Sequence, residues 1–421
     1  MVSLTVVSIV RHSDLARWKS TGAWVLVYGR RKVGKSYFIR NFTKWDSYYF
    51  VGREGEIFVD SERISYEAFR RELAEKLKHN ETVVVDEFQR LPSEFSDMLH
   101  SLGTRGRLVA VSSTLWLSRE ILSGRSPLLG MMTEFKMGLV DEADILVNLS
   151  SYVSDPKRLV EVSVLLREPW LTPVWERASN FERGVVQTLR YTVPALVGEV
   201  FREEERFLSR VYEGVLKAVA SGKSVSSEIA AYLYSNRLMA AQDPSLVHPY
   251  LRVLERIGIL EKVKFYGKNR YMYRHVSPVV DLFFYMDAKY GISERELEEE
   301  QALRVLREKM PLYVEQFVAY LLSKSMGLWA EKIVEPGHEV DVALVDFKSL
   351  KAAVEVKWRE TLTSSDVEKI EERLSRYKCR KILVVPRGDV LPREPKGIEV
   401  FSAENLLELA RTRVKKLQQQ L

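Results

Sequence analysis

The sequence is poor in cysteine, since Cys379 is the only one in 421 residues. A single thiol excludes an internal disulfide and a cysteine-based metal cluster, and it fits a reducing cytosol. Long apolar runs are also missing, because charged residues interrupt them before the roughly 18 residues that a membrane-spanning helix needs. We therefore expect a cytoplasmic protein that does not have a membrane as a partner.

Leader and low-complexity segments are missing as well. The N-terminal segment MVSLTVVSIVRHSD lacks a basic leader and a clear cleavage site, so we expect a buried first strand rather than a signal peptide. Hydrophobic residues make up 46% of the chain, which predicts a globular protein almost throughout. Its length predicts about two to four domains. The net charge of +6 permits nucleic-acid binding without requiring it.

A glycine-rich loop follows an apolar strand over 23–28. It reads GRRKVGKS and satisfies the pattern G-x-x-x-x-G-K-[ST]. Glycines let backbone N–H groups surround phosphates, and the helix that follows adds its dipole. We expect Lys35 to neutralise the β and γ phosphates of ATP and Ser36 to bind Mg²⁺. The predicted nucleotide contacts are Gly29, Arg30, Arg31, Lys32, Val33, Gly34, Lys35, Ser36 and Tyr37. The alternative is a chance basic turn, since the pattern fixes few positions.

Two acids end a second apolar strand, in the order VVVDE. We expect Asp86 to hold Mg²⁺ through water and Glu87 to orient or deprotonate the attacking water. On its own such a strand end is common, but about fifty residues after a P-loop it is the expected second half of an ATPase. A third strand, over 107–111, ends in SST. Ser113 is the predicted γ-phosphate sensor there, and a plain polar turn is the equal alternative.

These three segments, GRRKVGKS, VVVDEFQRLP and VAVSST, resemble the archaeal ATPase family of P-loop proteins in the AAA+/STAND group. The resemblance covers about the first two hundred residues and implies ATP and Mg²⁺ as cofactors. The segment Ser126–Gly130 resembles the family's S-P-L-x-G motif, which is normally followed by an arginine that could act as a finger. Here Met131 follows, so that role is open unless Arg125 takes it.

The remaining chain predicts three further units, which makes the fold class α/β multidomain. The expected domains are a P-loop parallel-sheet core over 1–140, a helical lid over 141–206, a winged helix over 207–292 and a restriction-endonuclease-like α/β domain over 300–421. A helix over 248–257, then a glycine and a basic hairpin, resembles a winged helix. In a DNA-binding interpretation the hairpin contacts phosphates, through Lys262, Lys264, Lys268 and Arg270. The alternative is an intramolecular or protein-binding winged helix with solvated lysines.

The C-terminal part of the sequence contains a pattern typical of a metal-dependent site: an acidic residue, a turn and the triplet Glu-x-Lys. Asp341 precedes the turn, and Glu355 and Lys357 follow it on a strand expected over 352–358. The two acids could hold a second Mg²⁺ or Mn²⁺ while Lys357 supports the attacking hydroxide, and Glu315 projects from the preceding helix towards the same place. This order resembles the PD-(D/E)XK nuclease fold. The alternative is the solvated face of an amphipathic strand.

Two hypotheses on function follow. In the first, the ATP state controls metal-dependent cleavage of nucleic acid by the C-terminal domain. In the second, the chain is a STAND-like regulatory switch that binds DNA or protein and has an inactive nuclease fold. Asp341, Glu355 and Lys357 favour the first hypothesis, whereas the absent arginine and the modest charge favour the second. Both hypotheses include ATP as a ligand and allow DNA and an oligomeric assembly.

Overall fold

The computed structural model describes residues 8–115, 126–204, 206 and 208–420, apart from the side chain of Glu203. The strand expected at the N-terminus falls largely outside this part of the chain, and the first described helix is α1 (His12–Lys19). Within the described residues, no helix is long and apolar enough to cross a membrane.

The first sheet is formed by seven strands: β1 (Trp24–Tyr28), β2 (Ser47–Val51), β3 (Ile57–Val59), β4 (Glu62–Ile64), β5 (Thr82–Asp86), β6 (Arg107–Ser112) and β7 (Thr133–Lys136). Their order across the sheet is β4-β3-β2-β5-β6-β1-β7. Strands β2, β5, β6, β1 and β7 are parallel, which confirms the predicted parallel core, and β3 and β4 add an antiparallel edge. All of β1 is buried, because both of its faces are covered.

Helices cover the two faces of this sheet. They are α1, α2 (Lys35–Phe42), α3 (Tyr66–Lys78) and α4 (Glu94–Leu102). Helices α3 and α4 pack on one face, where Phe69, Leu73 and Leu77 are buried as their spacing predicts. Helices α1 and α2 cover the other face, where Phe38 is buried.

The middle of the chain is mostly helical. The elements are α5 (Glu142–Leu149), α6 (Pro156–Leu166), α7 (Thr172–Arg177), α8 (Phe181–Glu203), α9 (Arg210–Ala220), α10 (Ser226–Ser235) and α11 (Pro244–Arg256), then the antiparallel hairpin β8 (Leu260–Lys264) and β9 (Tyr271–His275), and α12 (Pro278–Tyr290). Aspartate or asparagine side chains cap α5, α6, α8 and α11 by accepting a hydrogen bond from a first-turn N–H, which explains where these helices begin.

The last part of the chain returns to a mixed sheet. Helix α13 (Glu299–Met326) is followed by β10 (Trp329–Glu335), β11 (His338–Asp346), β12 (Ser349–Val356), α14 (Ser364–Ser375), β13 (Arg380–Val384), β14 (Glu399–Phe401) and α15 (Ala403–Gln420). Strands β10 to β12 are antiparallel, and β12, β13 and β14 are parallel. Helix α13 is 28 residues long, and it continues through Pro311. Strand β12 ends at Val356, two residues before the expected end.

One hydrophobic core joins the middle helices to the C-terminal sheet. It contains Leu146 of α5, Leu189 of α8, Leu251 of α11, Phe317 of α13 and Leu406 of α15, all essentially buried. Such a shared core holds the helices over 142–203, the hairpin unit and the C-terminal sheet together. The proposed division into domains stays a prediction.

Candidate functional site

The glycine-rich loop occupies the carboxyl end of β1 and leads directly into α2. Gly29 lies so close to the end of β7 that a Cβ there would be 2.1 Å from the carbonyl oxygen of Met137, which explains the glycine. Gly34 has a left-handed backbone with φ of 91° and caps α2. The loop therefore has the strand, glycine turn and helix order that the sequence predicts.

Lys35 and Ser36 lie in the first turn of α2. The Lys35 side chain is buried, and its Nζ donates to the carbonyl oxygens of Gly29 at 2.8 Å and Arg30 at 3.2 Å. These contacts place the ammonium over the loop itself. Ser36 is half-buried beside it, whereas Tyr37 is 49% exposed on the outer side of the helix.

The two loop arginines direct their guanidinium groups towards carboxylates of the helical region over 142–203. Arg30 Nη2 lies 2.6 Å and 2.7 Å from the two carboxylate oxygens of Glu168, and both side chains are almost fully buried. Arg31 Nε lies 2.9 Å from Glu199 of α8. Lys32, in contrast, is exposed and has a left-handed φ of 67°. The charge of the Arg30 side chain is thus matched by Glu168, and only the Arg30 backbone forms part of the loop.

Another fixed arginine, which immediately precedes α1, supports the loop. Arg11 is buried, and its Nη1 donates to the carbonyl of Val33 at 2.7 Å. Its Nε pairs with Asp14 at 2.6 Å, and its Nη2 donates to the carbonyl of Gly138 at 2.9 Å. The conformation of the loop at Val33 is therefore held by a charged side chain as well as by its glycines.

The acid pair lies at the carboxyl end of β5. Asp86 is buried; one of its oxygens accepts the hydroxyl of Tyr48, and the other accepts the N–H of Glu87 at 3.0 Å. Burial and the charge of Asp86 raise the pKa of Tyr48 well above its usual value, so this phenol stays a donor. Asp86 keeps its predicted place at the strand end.

Glu87 is oriented by its neighbours. Its backbone is left-handed, with φ of 60°, which is an unusual conformation for a glutamate. Ser113 Oγ donates to the Glu87 carboxylate at 2.8 Å and 3.1 Å, and Gln89 Nε2 donates to it at 2.6 Å. Arg90 Nη2 lies 3.3 Å away. Three side chains, those of Ser113, Gln89 and Arg90, thus define the position of one carboxylate.

The strand order brings these parts to one edge of the sheet. Strand β6 lies between β1 and β5, and all three are parallel, so the loop, Ser113 and the acid pair end at the same edge. The SPLLG segment forms a turn at 126–130 with Leu128 buried. Arg125, the candidate substitute finger, lies outside the described residues.

The C-terminal charged residues also come together. Asp341 and Glu355 lie on the adjacent strands β11 and β12, and Lys357 Nζ is 2.6 Å from Glu355 and 3.5 Å from Asp341. Glu355 is fully buried, so the solvated-face alternative is wrong for this residue. Arg373 of α14, which the sequence did not suggest, also pairs with Glu355.

Glu315 does not complete a cation site with the other two acids. It pairs instead with Lys332 at 3.0 Å, and in the described part of the chain no group of three His, Cys, Asp or Glu residues is placed to hold a metal ion. Burial raises the pKa of Glu315 and of Glu355, and the charge of Asp341 adds to this effect for both carboxyl groups. Asp341 and Glu355 are therefore paired on adjacent strands, whereas Glu315 is held by Lys332.

The basic hairpin faces the C-terminal sheet. Lys264 Nζ lies 3.1 Å from Glu331, and Lys268 Nζ donates to the carbonyl of Val334, so both lysines contact β10. Lys262 lies 3.8 Å from Glu255 and over the ring of Tyr271. Arg270 is exposed. These contacts favour the intramolecular alternative for two of the four predicted phosphate ligands.

Comparisons agree with a P-loop ATPase fold. A Walker-type ATPase of Pyrococcus abyssi superposes with a TM-score of 0.52 at 18% identity, over 66% of this chain and 96% of that chain. The ORC2 protein of Aeropyrum pernix, in ADPNP and ADP complexes, overlaps at a TM-score of 0.37 and 11% identity, over 73% of this chain and 94% of that one. That overlap is too weak to support a conclusion. No protein-family model matches this chain, and no curated protein matches it.

Proposed function

We propose that this chain binds Mg²⁺–ATP at the glycine-rich loop and hydrolyses it. The observation that carries the proposal is the position of Glu87, whose carboxylate is fixed by Ser113 and Gln89 at the sheet edge where the loop also lies. A carboxylate in this place can accept the proton of a water molecule that attacks the γ-phosphorus of ATP.

The other residues of the edge have supporting roles. The backbone N–H groups of 29–37 would surround the phosphates, and Lys35 would turn its ammonium from the loop carbonyls to the phosphate oxygens. Ser36 and Asp86 would hold Mg²⁺, which would neutralise charge on the phosphates. Tyr48 keeps Asp86 in place through its hydroxyl.

Nucleotide binding tests the first half of this proposal. Lys35→Ala should abolish binding of a fluorescent ATP analogue, because the ammonium is the main counter-charge in the loop. Lys44→Ala, an exposed position just after α2, is the matched control and should bind like the wild type. Equal affinity of the Lys35→Ala variant and the wild type would refute the assignment of the loop.

A second function is supported by contacts between the lid and the C-terminal domain. Glu168, which holds Arg30 of the loop, follows directly after α6. From the same helix, Glu161 accepts the indole N–H of Trp358 at 3.0 Å, and Lys157 pairs with Glu360 at 2.9 Å. The helix α6 thus contacts the segment after Lys357 and leads, two residues after its end, to the carboxylate that holds Arg30.

We infer from these contacts that the nucleotide state controls the C-terminal domain. Whether that domain cleaves nucleic acid depends on a cation site, and the donor set fits one only in part: two carboxylates are neighbours, and two cations already face them. The regulatory interpretation therefore accounts for more of the contacts than metal-dependent cleavage does. DNA binding through a winged helix, a STAND-like mechanism and oligomerisation stay predictions.

Amide exchange of the peptide over 355–362 tests this control in the Glu87→Gln variant, which should retain ATP. Addition of Mg²⁺–ATP should change the exchange rate of this peptide. Trp358→Phe removes the hydrogen bond to Glu161 and should cancel the change. Trp329→Phe, at a position 75% exposed in the same domain, is the control. An ATP effect that survives Trp358→Phe unchanged would contradict the route through α6.

A further inference from the structure

The C-terminal charge cluster consists of Asp341, Glu355, Lys357 and Arg373. Glu355 lies at its centre and is fully buried, whereas Asp341 is 13%, Lys357 18% and Arg373 33% exposed at their side chains. Two negative and two positive charges therefore balance within the cluster. A buried charge is tolerated only when it is paired in this way.

The two cations use the same oxygen of Glu355. Lys357 Nζ and Arg373 Nη1 both contact Oε1. The second oxygen, Oε2, is buried and accepts no hydrogen bond from the residues that the structure describes. Asp341 Oδ2 accepts the N–H of Val356 at 2.8 Å and contacts Lys357 at 3.5 Å. One buried carboxylate oxygen therefore remains without a partner, next to a second carboxylate.

Oxygen donors of this kind suit a hard divalent cation. Two positive side chains close by would oppose its entry, because like charges in a desolvated site repel strongly. Lys357 follows β12 directly and is fixed beside Glu355 by the backbone. Arg373, in contrast, reaches Glu355 from the separate helix α14, and its side chain is partly exposed. Arg373 is therefore the cation that can move away from Glu355.

We propose that Arg373 is a resident counter-ion that takes the place of a divalent cation at Glu355, so that Arg373 pairing and cation binding exclude each other. The inference rests on the cation site that the sequence predicts at Asp341 and Glu355. When Arg373 pairs with Glu355 the cluster is free of metal, and when Arg373 moves away the cluster can bind a divalent cation.

The test measures Mn²⁺ binding by the full-length chain without nucleotide, from the electron paramagnetic resonance signal of free Mn²⁺. The variant Arg373→Gln removes the positive charge, and Arg373→Met is a second neutral variant in case the first does not fold. Arg376→Gln is the matched control, since Arg376 lies just beyond the same helix, is more exposed and pairs with Glu372 at 3.5 Å. Glu355→Gln in each background defines the binding that belongs to this cluster.

We expect Arg373→Gln to bind Mn²⁺ at least ~10-fold more tightly than the wild type, a change of about 1.4 kcal/mol. Arg376→Gln should match the wild type, and Glu355→Gln should remove the gain. If the wild type and Arg373→Gln bind equally tightly and both lose binding with Glu355→Gln, the cation site stands and the role of Arg373 is overturned. If neither the wild type nor Arg373→Gln binds more Mn²⁺ than the same protein with Glu355→Gln added, the cation site itself is refuted.

Discussion

The buried ion pair between Arg30 of the loop and Glu168 offers a quantitative prediction. Glu168 is fully buried, and it accepts Arg30 on both oxygens and the indole N–H of Trp170 at 3.0 Å. Glu168→Gln removes its charge with little change in shape. Arg30 would then keep a positive charge at a side-chain exposure of only 8%.

Breaking a buried pair by removing one partner costs about 3–5 kcal/mol, because the remaining charge is left without compensation. Glutamine keeps one carbonyl oxygen as an acceptor, so we expect the lower end, about 3 kcal/mol. The control is Glu182→Gln, whose partner Arg158 lies 3.2 Å away and is 45% exposed. An exposed pair of that kind is worth at most about 1 kcal/mol.

Amide exchange resolves the effect to the elements concerned. The peptides over 29–42 and 156–171 should exchange faster in Glu168→Gln by the factor that corresponds to the lost free energy, roughly 100-fold. The double variant Arg30→Met with Glu168→Leu should restore most of the protection, since no buried charge remains. If exchange in Glu168→Gln is less than about 5-fold faster than in the wild type, or if the double variant regains no protection, this pair does not stabilise the fold as expected.

Three further outcomes are expected. Ser113→Ala should lower the rate of ATP hydrolysis at saturating ATP by about 10-fold, with unchanged ATP affinity, because a hydrogen bond to a charged group is worth about 1.5–3 kcal/mol; an unchanged rate would show that Ser113 does not orient Glu87. Lys264→Ala with Lys268→Ala should leave the salt dependence of any DNA binding unchanged but speed amide exchange over 330–334; a flatter salt dependence would return these lysines to the DNA-binding interpretation. Burial, together with the charge of Asp141, raises the pKa of Asp144 to about 7, so the folded chain holds this proton more tightly than the unfolded chain does. Stability should therefore fall as the pH rises from 5 to 7, by about 2 kcal/mol, and Asp144→Asn should flatten this fall in urea unfolding; an equal fall in both proteins would contradict it.

Local patterns were sufficient to predict most of the N-terminal parallel sheet and its helices. The strands over 24–28 and 82–86 are apolar on both faces because both faces are covered, and such runs are visible in the sequence. The apolar spacing over 66–78, which brings Phe69 and Leu73 to one face, is also sufficient to predict the helix α3. The loop and the acid pair each follow an apolar strand in the sequence. Because those strands are parallel, both motifs lie at the same edge of the sheet.

Long-range pairs could not be predicted in this way. Glu168 lies 138 positions from Arg30, and no local pattern marks it as the partner. Arg373 belongs to the amphipathic helix α14, where a charged residue on the outer side is ordinary. The hairpin lysines have the composition of a phosphate-binding wing, and only the packing of the hairpin on β10 shows that Lys264 meets Glu331.

The helix α13 shows how packing overrides a local signal. Proline lacks the N–H that the helix interior needs and usually marks an end. Pro311 nevertheless lies inside α13, with Leu306 and Met310 buried before it and Phe317 buried after it. The continuous buried face outweighs the missing hydrogen bond.

The central claim is that Glu87 serves as the base for ATP hydrolysis at the loop, and one measurement tests it most directly. The steady-state rate of phosphate release at saturating Mg²⁺–ATP should be compared between the wild type and Glu87→Gln, with ATP affinity measured on the same samples. The account predicts a rate at least ~10²-fold lower in Glu87→Gln with ATP still bound, the usual effect of a lost general base. Phosphate release at the wild-type rate by Glu87→Gln would contradict it.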